Sequence, residues 1–312
     1  MEATSLPVVC LMGPTAAGKT DLALSLHDRG GVDLISVDSA MVYRGLDIGT
    51  AKPSAAVQAQ APHALIDIRD PAQAYSAADF VADARPLIEA SRQAGRIPVL
   101  VGGTMLYFRS LLYGLSRLPA ADAGIRARLE AEADRLGWPV LHERLAQADP
   151  DTAARLHYND AQRIQRALEV HELTGQPISR LQAGAAPEPL PGPVVRVGVM
   201  PAQRRILHQR IEARFATMLA DGVIDEVAGL RARADIHPDL PSMRAVGYRQ
   251  IRGYLDGRIP RDELHFRGTV ATRQFARRQV TWLRRETDLA WLDPLENNPC
   301  DRLSDLINRV VA

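Results

Sequence analysis

Lysine is nearly missing from this 312-residue chain: Lys19 and Lys52 stand against 36 arginines. Lysine is a compact point charge that fits among phosphates, whereas arginine is a planar fork, so a chain that writes Arg almost everywhere keeps Lys where the difference matters. Lys19 gains most from this reading. Cysteine is also scarce. Cys10 and Cys300 are too few for a disulfide framework or a four-ligand zinc site, and both read as structural thiols. No apolar run approaches the roughly 18 residues of a membrane helix. Met1 to Leu6 carries an acid and no basic apolar leader, so no signal peptide is read and a soluble, cytoplasmic protein is expected. There is no internal repeat and no low-complexity tail. With 46% hydrophobic and 24% charged residues, the composition is that of an ordinary globular protein.

A strong net charge is lacking too, since the formal value is only +1. The distribution is less even. From Arg244 to Arg285, eleven arginines face three acids, Asp256, Asp262 and Glu263. Such a surplus is either a footprint for a phosphate backbone or an arginine-rich solvated face, and charge alone does not choose.

The apolar pattern begins with a strand over Pro7 to Met12, a helix from Thr20 to Leu26 and a second strand over Val32 to Val37. Ala64 to Ile68 reads as a further strand. Ser76-Ala-Ala-Asp79 resembles a capping box that opens a helix to about Gln93, and Ile97 to Val101 is another buried strand. Alternation of this kind predicts an α/β fold, a mainly parallel sheet covered on both faces, with ligands at the strands' carboxyl ends. After Pro119 the texture turns helical, with helices expected over Asp122 to Leu136, Trp138 to Ala146 and Asp160 to Leu173. Gly184 to Pro193 reads as the return linker, and Val194 to Met200 restores a strand. Helices follow from Ala202 to the end. The expected organisation is a core of residues 1–118 and 190–312 with a helical insertion over 119–189.

The sharpest signal is the run Gly13, Pro14, Thr15, Ala16, Ala17, Gly18, Lys19 and Thr20, which satisfies G-x-x-x-x-G-K-[ST] between a strand and a helix. Glycines let successive N–H groups turn toward an anion, and the helix N-terminus adds positive dipole. Lys19 reaches the terminal phosphates, and the Thr20 hydroxyl can hold Mg²⁺. The default occupant of such a nucleotide-binding loop is ATP or GTP, as in a small-molecule kinase. Asp38, at the carboxyl end of the second strand, can bind Mg²⁺ or act as a base. Val101-Gly-Gly-Thr104 leaves another strand end through two glycines and brings the Thr104 hydroxyl toward the same crevice, unless Thr104 serves as a helix N-cap. Arg210 and Arg214, one helical turn apart, either reach a pyrophosphate or lie on an exposed face.

Five further runs extend the pattern across about 270 residues. They are Asp38 to Pro53, Val101 to Tyr107, Gln162-Arg-Ile-Gln-Arg-Ala-Leu168, Arg244-Ala-Val-Gly-Tyr-Arg-Gln250 and Thr272 to Arg284. With the phosphate loop they resemble the tRNA dimethylallyltransferases, also called tRNA isopentenyltransferases, over nearly the whole chain. The resemblance implies a P-loop NTPase-like core and transfer of a dimethylallyl group from dimethylallyl pyrophosphate to N6 of the adenosine just 3′ of the anticodon. It implies Mg²⁺ as cofactor, the tRNA anticodon stem-loop as partner, and a cytoplasmic monomer.

By the same resemblance, Asp38 accepts a proton from the adenine amine and Thr104 helps align it, while Gly13 to Thr20 cradle the departing pyrophosphate. The tRNA contacts it implies are Asp38, Ser39, Ala40, Met41, Thr104, Arg126, Gln162, Arg163, Ile164, Gln165 and Arg166. Arg244, Ala245, Val246, Gly247, Tyr248 and Arg249 continue that set, along with Arg277, Arg278, Gln279, Val280, Thr281, Trp282, Leu283 and Arg284. Tyr248 and Trp282 either stack on bases or belong to the core. Met41 stands where many relatives carry Gln, which removes an amide hydrogen bond to a neighbouring base. The chain lacks the Cys/His zinc-finger extension of eukaryotic relatives, so the shorter bacterial type without zinc is implied.

Other classes remain open at this point. A small-molecule kinase shares the loop but leaves Arg277 to Arg284 unexplained. An enzyme that prenylates free AMP, ADP or ATP does not need the arginine-rich C-terminal half. A non-catalytic RNA-binding module has no use for the phosphate loop.

Overall fold

The computed structural model describes residues 6–116, 118–184 and 188–311. The chain opens with β1 (Val8–Met12), α1 (Lys19–Asp28), β2 (Val32–Val37), α2 (Ala55–Gln60), β3 (His63–Ala64) and α3 (Ala77–Gln93). It continues through β4 (Ile97–Gly102) and α4 (Met105–Tyr113) to the helices α5 (Ala123–Leu136), α6 (Trp138–Ala148), α7 (Pro150–Ala153), α8 (Ala161–Thr174) and α9 (Ile178–Gly184). The last elements are β5 (Val194–Val199), α10 (Arg204–Ala220), α11 (Val223–Arg231), α12 (Tyr248–Leu255), α13 (Arg261–Leu283), β6 (Ala290–Leu292) and α14 (Pro299–Val311).

The six strands form one parallel sheet in the order β3-β2-β4-β1-β5-β6. Parallel strands buried on both faces read as continuous apolar runs, as in the fully buried Val8-Val-Cys-Leu-Met12. Register fixes where the strands end. Met12 pairs with Gly102, and Val37 pairs with the same Gly102. The carboxyl ends of β1, β4 and β2 are therefore level, and the residues just beyond them emerge at one edge of the sheet. The Ser76 and Asp79 capping box at the start of α3 is present as expected.

Two sequence expectations change. The strand expected over Ala64 to Ile68 shrinks to His63–Ala64, because Leu65 and Asp67 take positive φ values of 65° and 57° and break the extended chain. The stretch expected to be helical from Ala202 onward contains a sixth strand, β6, pairing Val197 with Ala290 and Val199 with Leu292. Three residues, two of them not fully buried, leave no periodic signal in a sequence.

The chain divides into two compact units, residues 1–112 with 191–312, and 113–190. The second begins in the last turn of α4, ahead of the change in texture at Pro119. Leu129, Leu141, Leu145, Ile164 and Leu168 form its core. Residues 185–187 of the expected linker lie outside the described residues. Both thiols are buried, and burial pushes Cys10 up to about 12, consistent with a structural role. No described helix is long and apolar enough to cross a membrane.

Candidate functional site

The Gly13–Thr20 loop joins β1 to α1 and turns through two left-handed residues, Ala16 at φ 63° and Gly18 at φ 95°. Gly13 has no room for a side chain, since a Cβ there would lie 2.5 Å from the Val199 carbonyl oxygen. Lys19 folds back over the loop, and its Nζ donates to the carbonyls of Gly13 (3.0 Å) and Pro14 (2.8 Å). Burial pushes its ammonium down to about 8, with Asp38 pulling upward and Arg214 downward. The loop thus holds a half-buried cation against its own backbone at the cavity edge, a setting that favours an anion.

Beyond β2, Asp38 Oδ1 accepts from the N–H groups of Ala40 (2.8 Å) and Met41 (3.2 Å), which tightens the segment around the carboxylate. Beyond β4, the Thr104 hydroxyl accepts from the Ser39 N–H at 3.0 Å. Asp38 and Thr104 are therefore locked side by side. Gly102 permits this, because a Cβ there would lie 2.0 Å from the Val37 carbonyl oxygen.

One cavity of about 460 Å³ collects these groups: the loop from Thr15 to Thr20, Asp38 to Met41, and Thr104. Arg214, Arg244 and Arg278 border it on the cationic side, and Phe215, Met218, Val246 and Phe275 supply apolar wall. Arg214 is exposed at the cavity, and desolvation, with Arg210 nearby, lowers its guanidinium from its ordinary value. Arg210 reaches the back of the loop, where a Cβ on Gly18 would lie 3.3 Å from its Nη1. Thr20 is exposed at the first turn of α1 and shares the cavity with Asp38.

The other expected residues divide by exposure. Arg249, Arg277, Arg278 and Arg284 are exposed, and Arg277 and Arg278 line a groove with Gln274, Thr281, Trp282 and Arg285. Half-buried Trp282 packs under Arg109, whose Cζ lies 5.5 Å from the ring centroid, and Val280 is likewise half-buried. Ala245 and Gly247 line the cavity beside Arg244. In the helical unit, Gln162 and Arg163 are exposed, with Arg163 paired to Asp160 at 2.9 Å.

Several expected RNA contacts point inward instead. Leu283 and Ile164 are fully buried, because each occupies the apolar face of its helix. Gln165 Nε2 is spent on the Arg126 carbonyl and on Glu130. Arg126, whose side chain stays 41% exposed, is held by both oxygens of the buried Glu169 (2.8 and 3.1 Å), which also binds Arg166. Burial alone would push the Glu169 carboxyl up, but these donors hold it below its ordinary value. Tyr248, of the two open readings, takes the core one: it is fully buried against Gly49, and its hydroxyl donates to Glu226. Gln279, only 5% exposed, bridges Thr15 and Gly103.

One anchoring residue, Glu226, escapes the sequence reading, and a second, Lys52, is marked there only by lysine scarcity. Glu226, from α11, accepts three successive N–H groups, those of Asp47 (2.9 Å), Ile48 (2.7 Å) and Gly49 (3.1 Å), and so anchors the segment after Asp38. Its sequence neighbourhood carries no motif, and only the fold brings it there. Lys52 donates to the Tyr43 carbonyl, Asp47 and Asp67, closing the same segment from the other side.

The family model described as IPP transferase matches residues 41–286. A tRNA dimethylallyltransferase from Alkalilimnicola ehrlichii is 61% identical over 98% of this chain and 96% of its own length. The crystal structure of a tRNA isopentenylpyrophosphate transferase from Bacillus halodurans is 35% identical, with a TM-score of 0.70 and 98% of each chain covered. A eukaryotic dimethylallyltransferase acting on tRNA, 24% identical over 98% of this chain and 80% of its own, shares the fold at a TM-score of 0.80. With a family model over most of its length and a relative this similar almost end to end, the chain belongs to the IPP transferase family.

Proposed function

We infer that this protein transfers a dimethylallyl group from dimethylallyl pyrophosphate to N6 of the tRNA adenosine just 3′ of the anticodon. The observation that carries the reading is the single cavity in which an anion-seeking loop faces the Asp38 and Thr104 pair. The A. ehrlichii relative, a tRNA dimethylallyltransferase by name, supports it.

In the reaction, the allylic C–O bond breaks and its electron pair leaves with pyrophosphate, while N6 forms the new bond to the same carbon. The loop N–H groups, Lys19 and Arg214 would take up the negative charge that grows on the leaving oxygens, where preorganised donors act most strongly. Adenine N6 is a weak nucleophile, because its lone pair is delocalised into the ring. Asp38 would accept its proton, and Thr104 would hold that carboxylate's segment in place. The adenine must leave its stack to reach the donor, which a single-stranded loop allows cheaply.

The exposed Thr20 hydroxyl beside the cavity fits Mg²⁺, an ion that takes few protein oxygens and completes its shell with phosphates and waters. Bound there, the ion would neutralise charge on the departing pyrophosphate. The exposed arginines of α13 would pair with RNA phosphates, and the protein would act as a cytoplasmic monomer.

The test is to incubate the protein with Mg²⁺, labelled dimethylallyl pyrophosphate and either unmodified tRNA or AMP, and to locate the label by nucleoside analysis. Label on tRNA N6-isopentenyladenosine is expected, and label on AMP alone would overturn the choice of acceptor. Asp38→Ala should lower turnover about 10²-fold or more while tRNA binding survives.

A further inference from the structure

Gln279 lies on the inner face of α13, between the cavity-lining Phe275 and the exposed arginine face. Its Oε1 accepts from the Thr15 N–H at 3.0 Å, and its Nε2 donates to the Gly103 carbonyl at 2.8 Å. The partners are of opposite kinds, an N–H and a C=O, so only one orientation of the amide satisfies both. The fit leaves no slack. A Cβ on Gly103 would lie 2.3 Å from Gln279 Nε2 and 3.0 Å from the Gly13 carbonyl oxygen.

These contacts join the two halves of the site. Thr15 belongs to the loop assigned to the leaving group. Gly103 precedes Thr104, whose hydroxyl holds Ser39 beside Asp38. One buried amide therefore spans from the donor side to the acceptor side, and its own helix carries Arg277 on the exposed groove and Arg278 between that groove and the cavity.

We propose that Gln279 is a positioning residue that sets the separation between the pyrophosphate loop and the Asp38 and Thr104 pair, rather than a residue that reads RNA. The proposal rests on the prenyl-transfer function of the same cavity. Displacement along a reaction axis is costly, since about 1 Å of misplacement can lower turnover about 10²-fold. Without the amide, the Thr15 N–H and the Gly103 carbonyl lose their partners, and the loop is free to drift from Thr104.

The test uses Gln279→Met, which keeps length and removes both hydrogen bonds, and Gln279→Glu, which keeps the acceptor for Thr15 and loses the donor to Gly103. Turnover, KM for dimethylallyl pyrophosphate, KM for tRNA and thermal midpoint are measured on the full chain. Both variants should lower kcat and raise the donor KM, Gln279→Met by about tenfold or more in kcat/KM, the scale of two lost hydrogen bonds, and Gln279→Glu less, having lost one. The tRNA KM should stay within about twofold. Gly103→Ala, which displaces the amide while leaving Gln279 in the chain, should reproduce the same split and serves if a Gln279 variant does not fold. A lowered thermal midpoint with unchanged kcat and donor KM would reduce Gln279 to a packing residue. A rise confined to the tRNA KM would make it an RNA contact, and either result overturns the proposal. Wild-type prenylation of tRNA, measured in the same series, tests the parent reading on its own.

Discussion

Lys19 is a cation held against its own loop's carbonyls, and that confinement gives it a pH signature. Burial lowers the ammonium to about 8, so in the free protein its proton is lost as pH rises through that value. Only the protonated form attracts pyrophosphate by charge. The kcat/KM for dimethylallyl pyrophosphate, which reports the free protein, should therefore decline above about pH 8. Lys19→Arg should remove that decline, because a guanidinium stays protonated, and should lower the rate because the fork does not fit where a point charge did. A profile of Lys19→Arg that still bends at the same pH would assign the bend to another group. The special status of Lys19 was legible from lysine scarcity and motif alone. Lys52 was legible only as an exception, since its three partners meet it through a turn with Ala51 at φ 55°, which composition does not announce.

Between elements, the most consequential contact is that of α11 with the segment after β2. Glu226 takes three backbone N–H groups and the buried Tyr248 hydroxyl. Glu226→Ala leaves the half-buried Ile48 and Gly49 N–H groups and the buried Tyr248 hydroxyl without this partner, and a buried donor so stranded costs about 1–3 kcal/mol. We expect Glu226→Ala to be destabilised by at least about 2 kcal/mol, with Glu226→Gln milder because its amide oxygen still accepts. Thermal unfolding checks this, and an unshifted midpoint would mean that the segment holds itself. Carboxylate anchoring of this kind has no sequence signature: the spacing from Glu226 to Asp47 is 179 residues. The long central strands were readable because burial on both faces leaves continuous apolar runs, whereas β3 and β6, two and three residues long, depend on pairing with a neighbour.

On the scale of the whole molecule, a nearly neutral chain concentrates cations where α13 presents Arg277 and Arg278 to an open groove. If each meets an RNA phosphate, replacing either by alanine should flatten the dependence of log tRNA affinity on log salt by about one unit. Donor kinetics should stay nearly unchanged for Arg277→Ala, since Arg277 lines only the groove, whereas Arg278 also borders the cavity. A slope equal to that of the unaltered protein would make these arginines a solvated face.

Sequence by itself determined the chemistry-bearing loop, the α/β class, the helical insertion and the family resemblance, because motif spacing and apolar periodicity are local properties of the chain. Tertiary structure alone decided which members of each motif face the cavity. Arg278 lines it, Gln279 braces it and Leu283 is buried away from it, though all three share one helix. The reason is geometric: at 3.6 residues per turn, neighbours in a motif point in different directions. Which direction is inward depends on what the rest of the chain packs against.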